Sequence, residues 1–289
     1  MKDMLKLMRP KHYLKNALVF VSLIFSKNLF NLTMLTRVLL GFITFSLISS
    51  VVYIINDIRD VETDRNHEVK CNRPIASGRV SIPRAIVLAA VLFVSAIVIN
   101  VLVCGALSRA TLIMAIYFII NLGYSLGLKN FPFLDIFLLV MGFLLRVLYG
   151  AAIIDDAVSS WVLLSVISIS FYLALGKRRN EILKIKEVES TRKVLKFYTF
   201  NFLDKFMYMC LAISIVFYAL WSADSTVIMR YGTDKLVWTV PLLIIIMMKY
   251  SSDIESDSHG DPVDVIAKDK ILLCLAALFV LVIILMIYI

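Results

Sequence analysis

Long apolar segments alternate with short charged segments along the whole chain. Apolar runs of about 17 residues or more recur, and an α-helix of that length reaches across the hydrocarbon core of a bilayer. These runs are too uniformly apolar for the amphipathic helices of a water-soluble protein. The pattern therefore predicts an all-α, polytopic membrane protein with about nine transmembrane helices. The predicted spans cover residues 17–34, 36–56, 84–104, 109–127, 132–154, 160–176, 205–222, 236–250 and 270–288.

Composition supports this prediction. The 289 residues are 61% hydrophobic and the mean hydropathy is +0.89, far above the range of soluble proteins. The basic N-terminus is not followed by a small-residue cleavage site, so we do not expect a cleaved signal peptide. We expect residues 1–289 to form a single transmembrane helical domain, with the loops at about 57–83 and 177–204 forming a cap over the active site.

The distribution of positive charge predicts the orientation. With the N-terminus inside, the inner segments hold 24 Lys and Arg residues and the outer segments hold 5, while Arg146 lies within a span. Inner loops of membrane proteins are enriched in Lys and Arg, so we expect a multi-pass protein of the inner (plasma) membrane with a cytoplasmic N-terminus. The net charge of +9 indicates anionic lipid or phosphorylated substrates rather than nucleic acid. The sequence leaves open whether the chain forms a homo-oligomer.

The densest charged stretch is Asn56–Gly78, between the second and third predicted spans. At about 100° per residue, one helix face carries four oxygen-bearing side chains and a tyrosine: Asn56, Asp57, Asp60, Asp64 and Tyr53. Hard oxygen ligands with no cation on their own face suit Mg²⁺ that also holds phosphates. Basic residues flank this face: Arg65, Lys70, Arg73 and Arg79. The alternative is a solvated acidic cap balanced by these basic neighbours.

Three polar residues lie near or within the first and fifth predicted spans. Lys15 and Asn16 stand at the entry to the first span, either as interfacial anchors or as phosphate-binding residues. Arg146 lies inside the fifth span, where a guanidinium is costly unless it faces a cavity or an acidic partner. We favour anion binding for Arg146 over a structural tie to Asp135, which lies about three turns earlier on nearly the same face.

Two further inner segments carry candidate phosphate ligands. The tight turn after the fourth span contains Tyr124 and Lys129. The loop after the sixth span begins GKRRNE and is strongly basic, with Lys177, Arg178 and Glu181 as its candidate residues. Cations at a helix C-terminus and an i,i+4 pair of Lys177 with Glu181 are the structural alternatives.

The block NDxxDxxxD beginning at Asn56 resembles the first signature of the UbiA-type intramembrane prenyltransferase superfamily. Several other segments resemble the branch of decaprenyl-phosphate phosphoribosyltransferases: RPKHYLKN, YSLGLK, LLRVLYGAA, GKRRNE and GDPVDVIAKDK. The resemblance implies a UbiA-like helix bundle with a cytoplasmic-side active site. It also implies transfer of 5-phosphoribose from phosphoribosyl diphosphate to a polyprenyl phosphate, with release of diphosphate.

Within this resemblance, Mg²⁺ is expected at Asn56 and Asp60, with Asp57 and Asp64 assisting, and the three aspartates are the expected catalytic residues. The expected substrate-binding residues are Lys15, Asn16, Tyr53, Lys70, Arg73, Tyr124, Lys129, Arg146, Lys177, Arg178 and Glu181. The acceptor phosphate is already anionic at neutral pH, so this reaction needs no strong general base.

One departure from the wider superfamily separates the alternatives. Members that use prenyl diphosphates carry a second Asp-rich motif after the sixth span, where this chain reads GKRRNE. Three cations there fit a donor with an additional phosphate. The alternative is prenyl transfer from a prenyl diphosphate to an aromatic or lipid acceptor. A transporter is more remote, because the charges gather at the helix ends and the sequence shows no convincing repeat.

Overall fold

The computed structural model describes residues 2–185, 193–256 and 261–289. Every regular element in these ranges is helical. The α-helices are α1 Lys2–Met8, α2 Val21–Phe25, α3 Leu32–Arg59, α4 Val61–Arg65, α5 Ile82–Cys104, α6 Arg109–Leu126, α7 Leu134–Ile154, α8 Ser160–Ile185, α9 Phe200–Ala223, α10 Ser225–Tyr231, α11 Val240–Glu255, α12 Pro262–Lys268 and α13 Lys270–Tyr288. The 3₁₀ helices are Pro10–Phe20, Lys70–Asn72, Leu128–Asn130, Lys193–Phe197 and Lys235–Thr239.

Eight helices in the described ranges are long and apolar enough to cross a membrane. They are Leu32–Arg59, Ile82–Cys104, Arg109–Leu126, Leu134–Ile154, Ser160–Leu183, Phe200–Ala223, Lys235–Glu255 and Lys270–Tyr288. The prediction of an all-α, polytopic membrane protein is therefore confirmed. Large apolar side chains on α5 such as Val87, Val91 and Val94 are exposed, as expected for a surface that lipid covers.

The first predicted span, 17–34, is wrong, because it is not among these eight helices of the described ranges. The chain instead forms the 3₁₀ helix Pro10–Phe20 followed directly by α2, and α3 begins at Leu32. Between them, Ser26 Oγ donates to the Leu23 carbonyl at 3.0 Å, and such side-chain bonds to the backbone compete with helix. At about 2.0 Å rise per 3₁₀ residue and about 1.5 Å per α residue, Pro10–Phe25 is about 30 Å long, close to one bilayer core.

The loop predicted at 177–204 is also partly wrong, because α8 continues to Ile185. The Arg178 and Arg179 side chains are buried and ion-paired, which lets charged residues extend a helix that hydropathy ends at residue 176. Residues 186–192 of the predicted cap lie outside the described residues. The 3₁₀ helix Lys193–Phe197 and the start of α9 at Phe200 follow.

The chain divides into two compact units. Unit 1 comprises Met1–Leu138 with Leu145–Asp156, and unit 2 comprises Leu139–Leu144 with Ala157–Ile289. The expectation of a single domain stays a prediction. In unit 1, α3 packs against α5 and α6 around buried residues such as Phe45 and Ile48. In unit 2, α8 packs along α9. Since lipid tails are as apolar as these side chains, close packing and hydrogen bonds hold such helices together.

Gly150 on α7 shows how close this packing is in unit 1. A Cβ at Gly150 would overlap the backbone carbonyl of Val19 in the 3₁₀ helix. Nearby, Ser22 Oγ donates to the Val147 carbonyl at 3.2 Å. The missing side chain thus lets α7 contact the 3₁₀ helix Pro10–Phe20 directly. This contact positions Asn16, one 3₁₀ turn before Val19.

Candidate active site

The acidic block lies where α3 ends. Helix α3 runs to Arg59, and the chain leaves helical geometry at Asp60, with φ −87° and ψ 9°, before α4 begins at Val61. Asp57 and Asp64 are buried, whereas Asp60 is half-buried. The prediction from a straight helix placed all three carboxylates on one face. In the structure α3 ends just before Asp60, which pairs with Lys129, whereas Asp57 and Asp64 share Arg73.

Arg73 brings Asp57 and Asp64 together. Its Nη1 donates to Asp57 Oδ1 at 3.0 Å and to Asp64 Oδ2 at 2.6 Å. The backbone at Arg73 is extended, at φ −65° and ψ 146°, as expected for the residue before a proline. Pro74 and Ile75 are buried, and they anchor the loop so that Arg73 faces the end of α3.

Arg9 is the second cation at this end of α3, and the sequence analysis did not include it in the site. Its Nη2 donates to Asp57 Oδ1, the same oxygen that accepts from Arg73. Its guanidinium also lies over the Tyr53 ring, 5.0 Å from the centroid. Arg9 has left-handed backbone geometry, φ 54° and ψ 59°, between α1 and the 3₁₀ helix. The available signal was the RPKHYLKN segment, in which Arg9 precedes Pro10.

Asp60 pairs with a third cation. Lys129 Nζ donates to both carboxylate oxygens of Asp60, at 3.1 and 2.8 Å. Lys129 lies in the 3₁₀ helix Leu128–Asn130, which follows Gly127 at φ 135°. Arg59 Nη1 donates to the Ser125 carbonyl, so three hydrogen bonds hold this part of the chain against the end of α3.

The three carboxylates therefore face three cations. The expectation of an acidic face with no paired cation is wrong, because Arg9, Arg73 and Lys129 reach it from three other segments of the chain. Helical periodicity describes one element and cannot show what distant segments bring to it. The formal charges of these six side chains sum to zero, so the site accepts a metal ion and an anion together more readily than either alone.

The donor set at this site fits a hard divalent cation. Carboxylate oxygens of Asp57 and Asp64 converge on one guanidinium nitrogen, so a positive charge already occupies the space between two buried carboxylates. Oxygen ligands of this kind suit Mg²⁺, which completes its shell with water and substrate phosphates. Among the described residues, no three acidic, His or Cys side chains form a ready metal cluster. The arrangement therefore offers a divalent cation two carboxylates, and substrate oxygens would supply further ligands.

His67 lies close to this site without belonging to it. Burial and, to a smaller extent, the nearby Lys70 ammonium lower the pKa of His67, so it is neutral at pH 7. Its Nδ1 accepts from the Val69 amide at 3.2 Å. Lys70 itself begins the 3₁₀ helix Lys70–Asn72 and is half-buried.

Asn16 and Arg146 form a buried polar network inside unit 1. Arg146 Nε donates to Asn16 Oδ1 at 2.8 Å, and its Nη2 donates to the Tyr117 hydroxyl at 3.1 Å. The guanidinium also lies 5.2 Å from the Phe45 ring centroid. Asn16 is fully buried and donates to Ser46 Oγ at 3.0 Å. These contacts join the 3₁₀ helix Pro10–Phe20 to α3, α6 and α7. Anion binding by Asn16 or Arg146 stays a prediction.

Two other predicted residues of unit 1 lie in its helical segments. Lys15 is half-buried in the 3₁₀ helix Pro10–Phe20, and Tyr124 is half-buried in the last turn of α6. Tyr124 precedes the turn that carries Lys129. Their substrate roles stay predictions.

Unit 2 carries its own charged cluster around the GKRRNE segment. Arg178 Nη1 donates to Glu181 Oε2 at 2.7 Å, and Lys177 Nζ donates to Asp261 Oδ2 at 3.0 Å. The Lys177–Glu181 pair that i,i+4 spacing suggested is therefore replaced by an i,i+3 pair. Asp261 also accepts from the Val263 amide and so caps α12.

Arg179 is a further buried cation of the GKRRNE segment, where the sequence predicted three cations suited to an additional donor phosphate without assigning a role to Arg179 itself. Its Nε donates to Asp204 Oδ1 at 2.6 Å, Glu255 lies 3.6 Å from its Nη2, and its guanidinium lies over the Phe200 ring at 4.6 Å. Asn180 Nδ2 donates to the Ile254 carbonyl at 2.8 Å. The KRRN residues thus join α8, α9 and α11 within unit 2.

Comparison with known proteins shows the family of this chain. The model of the UbiA prenyltransferase family matches residues 17–257. A decaprenyl-phosphate phosphoribosyltransferase of Corynebacterium glutamicum is 34% identical, over 99% of this chain and 87% of the relative. The enzyme of the same name from Mycobacterium tuberculosis is 30% identical, over 94% of this chain and 89% of the relative.

Solved structures show the same fold. A UbiA homologue from Archaeoglobus fulgidus, bound to GPP and Mg²⁺, superposes with a TM-score of 0.73 at 18% identity, over 99% of this chain and all of that one. The same homologue bound to DMAPP and Mg²⁺ gives a TM-score of 0.72. The helical membrane bundle, the motif at the end of α3 and the near-full-length similarity agree, and the chain belongs to the UbiA prenyltransferase family.

Proposed function

We propose that this protein transfers a 5-phosphoribosyl group from phosphoribosyl diphosphate to a polyprenyl phosphate, as a Mg²⁺-dependent membrane enzyme. The observation that carries the proposal is near-full-length similarity to enzymes named decaprenyl-phosphate phosphoribosyltransferase. In the reaction, the bond between ribose C1 and the diphosphate oxygen breaks, and its electron pair leaves with diphosphate. A phosphate oxygen of the lipid acceptor then forms the new bond to C1.

The site at the end of α3 is suited to hold the leaving diphosphate. Asp57 and Asp64 would be ligands of Mg²⁺, since both face the position now taken by Arg73. Bound Mg²⁺ would neutralise the negative charge that develops on the leaving diphosphate. Arg73 would then donate to phosphate oxygens, a geometry that guanidinium groups favour. Asn56 and Asp60, the other expected ligands, lie next to this pair along the chain, and Asp60 holds Lys129.

Lys129 and Tyr53 would orient the donor. Lys129 approaches Asp60 from the turn before α7, so its ammonium lies beside the proposed diphosphate position. Tyr53 packs against Arg9 and His12, and its hydroxyl would donate a hydrogen bond to phosphoribosyl diphosphate. The predicted role of Lys177, Arg178 and Glu181 is to bind the second anionic group, and their ion pairs would open for it.

The location of the reaction is part of the proposal. We infer that the protein lies in the plasma membrane with a cytoplasmic N-terminus, and that the site at the end of α3 faces the cytoplasm, where positive charge concentrates. Cys71, in the loop that carries Arg73, provides a test. In a variant with the other three cysteines replaced, a membrane-impermeant maleimide should label Cys71 in inverted vesicles and not in intact cells. Labelling in intact cells only would reverse the orientation.

The activity test uses purified protein in lipid, phosphoribosyl diphosphate, Mg²⁺ and a polyprenyl phosphate. A new lipid-linked product, formed with equimolar diphosphate and abolished by EDTA, is the expected result. An Asp60→Asn variant that folds normally should lose most of this product, while Asp155→Asn, at an exposed ion pair, should retain it. Turnover of a prenyl diphosphate with an aromatic acceptor, and none of phosphoribosyl diphosphate, would favour prenyl transfer, the chemistry of the family's name.

A further inference from the structure

Two guanidinium groups converge on a single carboxylate oxygen at the end of α3. Arg9 and Arg73 both donate to Asp57 Oδ1, and Arg73 also donates to Asp64. Each guanidinium carries five N–H donors, so one shared oxygen uses only part of what this pair can donate. Like charges at such short separation repel unless an anion lies between them. An anion with more oxygens and more charge than one carboxylate would therefore bind this pair more strongly.

The two sides of the Arg9–Asp57 pair differ in freedom to move. The Asp57 side chain is 2% exposed and fixed on α3, whereas that of Arg9 is 22% exposed. Helix α1, which precedes Arg9, is anchored by Leu7, which is fully buried against Val51 and Ile54. The left-handed backbone at Arg9 turns the chain between α1 and the 3₁₀ helix. The backbone is thus held, and the long Arg9 side chain is the part that can change partner.

A metal ion and Arg9 compete for the same carboxylate oxygen. Mg²⁺ bound at Asp57 would place a double positive charge where Arg9 and Arg73 now donate. Metal bound at Asp57 without an anion would leave Arg9 next to it without its carboxylate partner, which is unfavourable at a partly buried site, while Arg73 would keep its contact with Asp64. Metal with diphosphate supplies the missing anion at the same place. Binding of metal and diphosphate together, in place of the Arg9–Asp57 contact, then changes the net charge of the site little.

We propose that Arg9 is an exchangeable counter-ion of the site. It holds Asp57 while metal and substrate are absent, and it moves to the diphosphate oxygens when the metal–diphosphate complex binds. This proposal rests on the proposed function only in that the substrate carries a diphosphate. Arg9 therefore opposes binding of metal alone and favours binding of metal with diphosphate.

Two binding titrations on Arg9→Gln test these opposite effects. Mn²⁺ alone, followed by the EPR signal of the free ion, should bind about threefold or more tightly than to the unchanged protein, because a competing cation is gone. Radiolabelled inorganic diphosphate at saturating Mn²⁺, followed by filtration binding, should bind about tenfold more weakly, because a charge-assisted hydrogen bond is lost. Neither titration requires turnover, so a failed phosphoribosyl-transfer assay leaves this test intact.

Arg109→Gln is the matched control. It removes the same charge from an Arg–Asp pair that is exposed on both sides, and it should change neither titration. If Arg9→Gln weakens Mn²⁺ binding and diphosphate binding equally, Arg9 has a purely structural role. If diphosphate binding is unchanged, Arg9 serves Asp57 alone. Either result overturns the proposal. If Arg9→Gln fails to fold, Arg9→Lys decides. Weaker diphosphate binding with unchanged Mn²⁺ binding supports the exchange, and no change in either contradicts it.

Discussion

Buried ion pairs lie in both units of the chain, but the buried partner differs. In unit 1 the carboxylates are buried, Asp57 at 2% and Asp64 at 4% exposure, and their cation Arg73 is 26% exposed. In unit 2 the two arginines of the KRRN segment are the buried partners: Arg178 is 0% exposed, while Glu181 is 22% exposed. The neighbouring Lys177 keeps the order of unit 1, at 27% exposure against 13% for Asp261. Arg179 follows the order of Arg178, with Asp204 as the more exposed partner.

This inversion indicates what each site can exchange. A buried charge is held by its surroundings and is costly to leave unpaired, whereas the more exposed partner can leave at lower cost. Unit 1 can therefore release a cation and accept another, such as a metal ion. Unit 2 can release a carboxylate and accept another anion, such as a phosphate. The two charged clusters thus match the two kinds of charge that a Mg²⁺-dependent reaction between phosphorylated substrates requires.

The largest effect is expected when the buried carboxylate of unit 1 loses its charge. Asp57→Asn keeps the shape of the side chain but removes the proposed metal ligand and leaves Arg9 and Arg73 facing a neutral amide. We expect product formation to fall by about a thousandfold, the scale of losing a main electrostatic group at an active site. Steady-state rates of product formation, with size-exclusion profiles to confirm folding, provide the measurement. Activity within tenfold of the unchanged protein would contradict a metal role for this residue.

The second prediction tests the inverted order in unit 2. Glu181→Gln leaves the buried Arg178 without this carboxylate, and we expect a loss of about 3 kcal/mol in the free energy of unfolding. Inorganic phosphate should recover much of this loss by binding the Arg178 guanidinium in place of the missing carboxylate. Thermal unfolding in detergent, with and without phosphate, is the measurement.

A matched variant controls for the loss of a glutamate charge. Glu62→Gln removes a carboxylate from the exposed Arg65–Glu62 pair, and it should change the unfolding temperature little, with no effect of phosphate. If phosphate stabilises Glu181→Gln no more than Glu62→Gln, unit 2 does not exchange its carboxylate for an anion, and the comparison between the units fails.

The sequence was sufficient for the fold class, the family resemblance and the acidic motif, because hydropathy runs and the spacing of Asn56, Asp57, Asp60 and Asp64 are local properties. It was insufficient for the partners of these side chains. Arg9 is 48 residues from Asp57, and Lys129 is 69 residues from Asp60, so only the folded chain brings them together. The helix break at Asp60 was missed because a periodicity argument assumes a continuous helix.

The boundary errors have a related cause. Hydropathy ended the sixth span at residue 176, before Lys177, Arg178 and Arg179, because charge is costly near lipid. The structure pairs these cations within unit 2 and continues α8 to Ile185. Hydropathy sums residues along one segment, while the cost of a charge depends on partners supplied by others.

Lys129 gives an intermediate case, because neither partner in its ion pair is deeply buried. Lys129 is 24% exposed and Asp60 is 27% exposed, so the order seen in the two clusters is absent here. Lys129→Gln should lower the rate of product formation by about tenfold, since the proposed charged hydrogen bond to the donor would be lost, with little change in stability. Separate determination of kcat and KM checks this. A loss of activity as large as that of Asp57→Asn would show that the exposure of a charged side chain does not predict how much activity its removal costs.

The smallest effect is expected at Arg109, where the comparison between buried and exposed partners no longer applies. Arg109 and Asp155 are 76% and 78% exposed, so water can solvate either charge when the other is removed. Exposed pairs of this kind contribute about 0–1 kcal/mol. Arg109→Gln should therefore leave the unfolding free energy within about 0.5 kcal/mol and product formation within about twofold. A larger loss of either would mean that removing any Arg–Asp pair harms this protein, and the effects at Asp57 and Glu181 could then not be assigned to the burial of their charges.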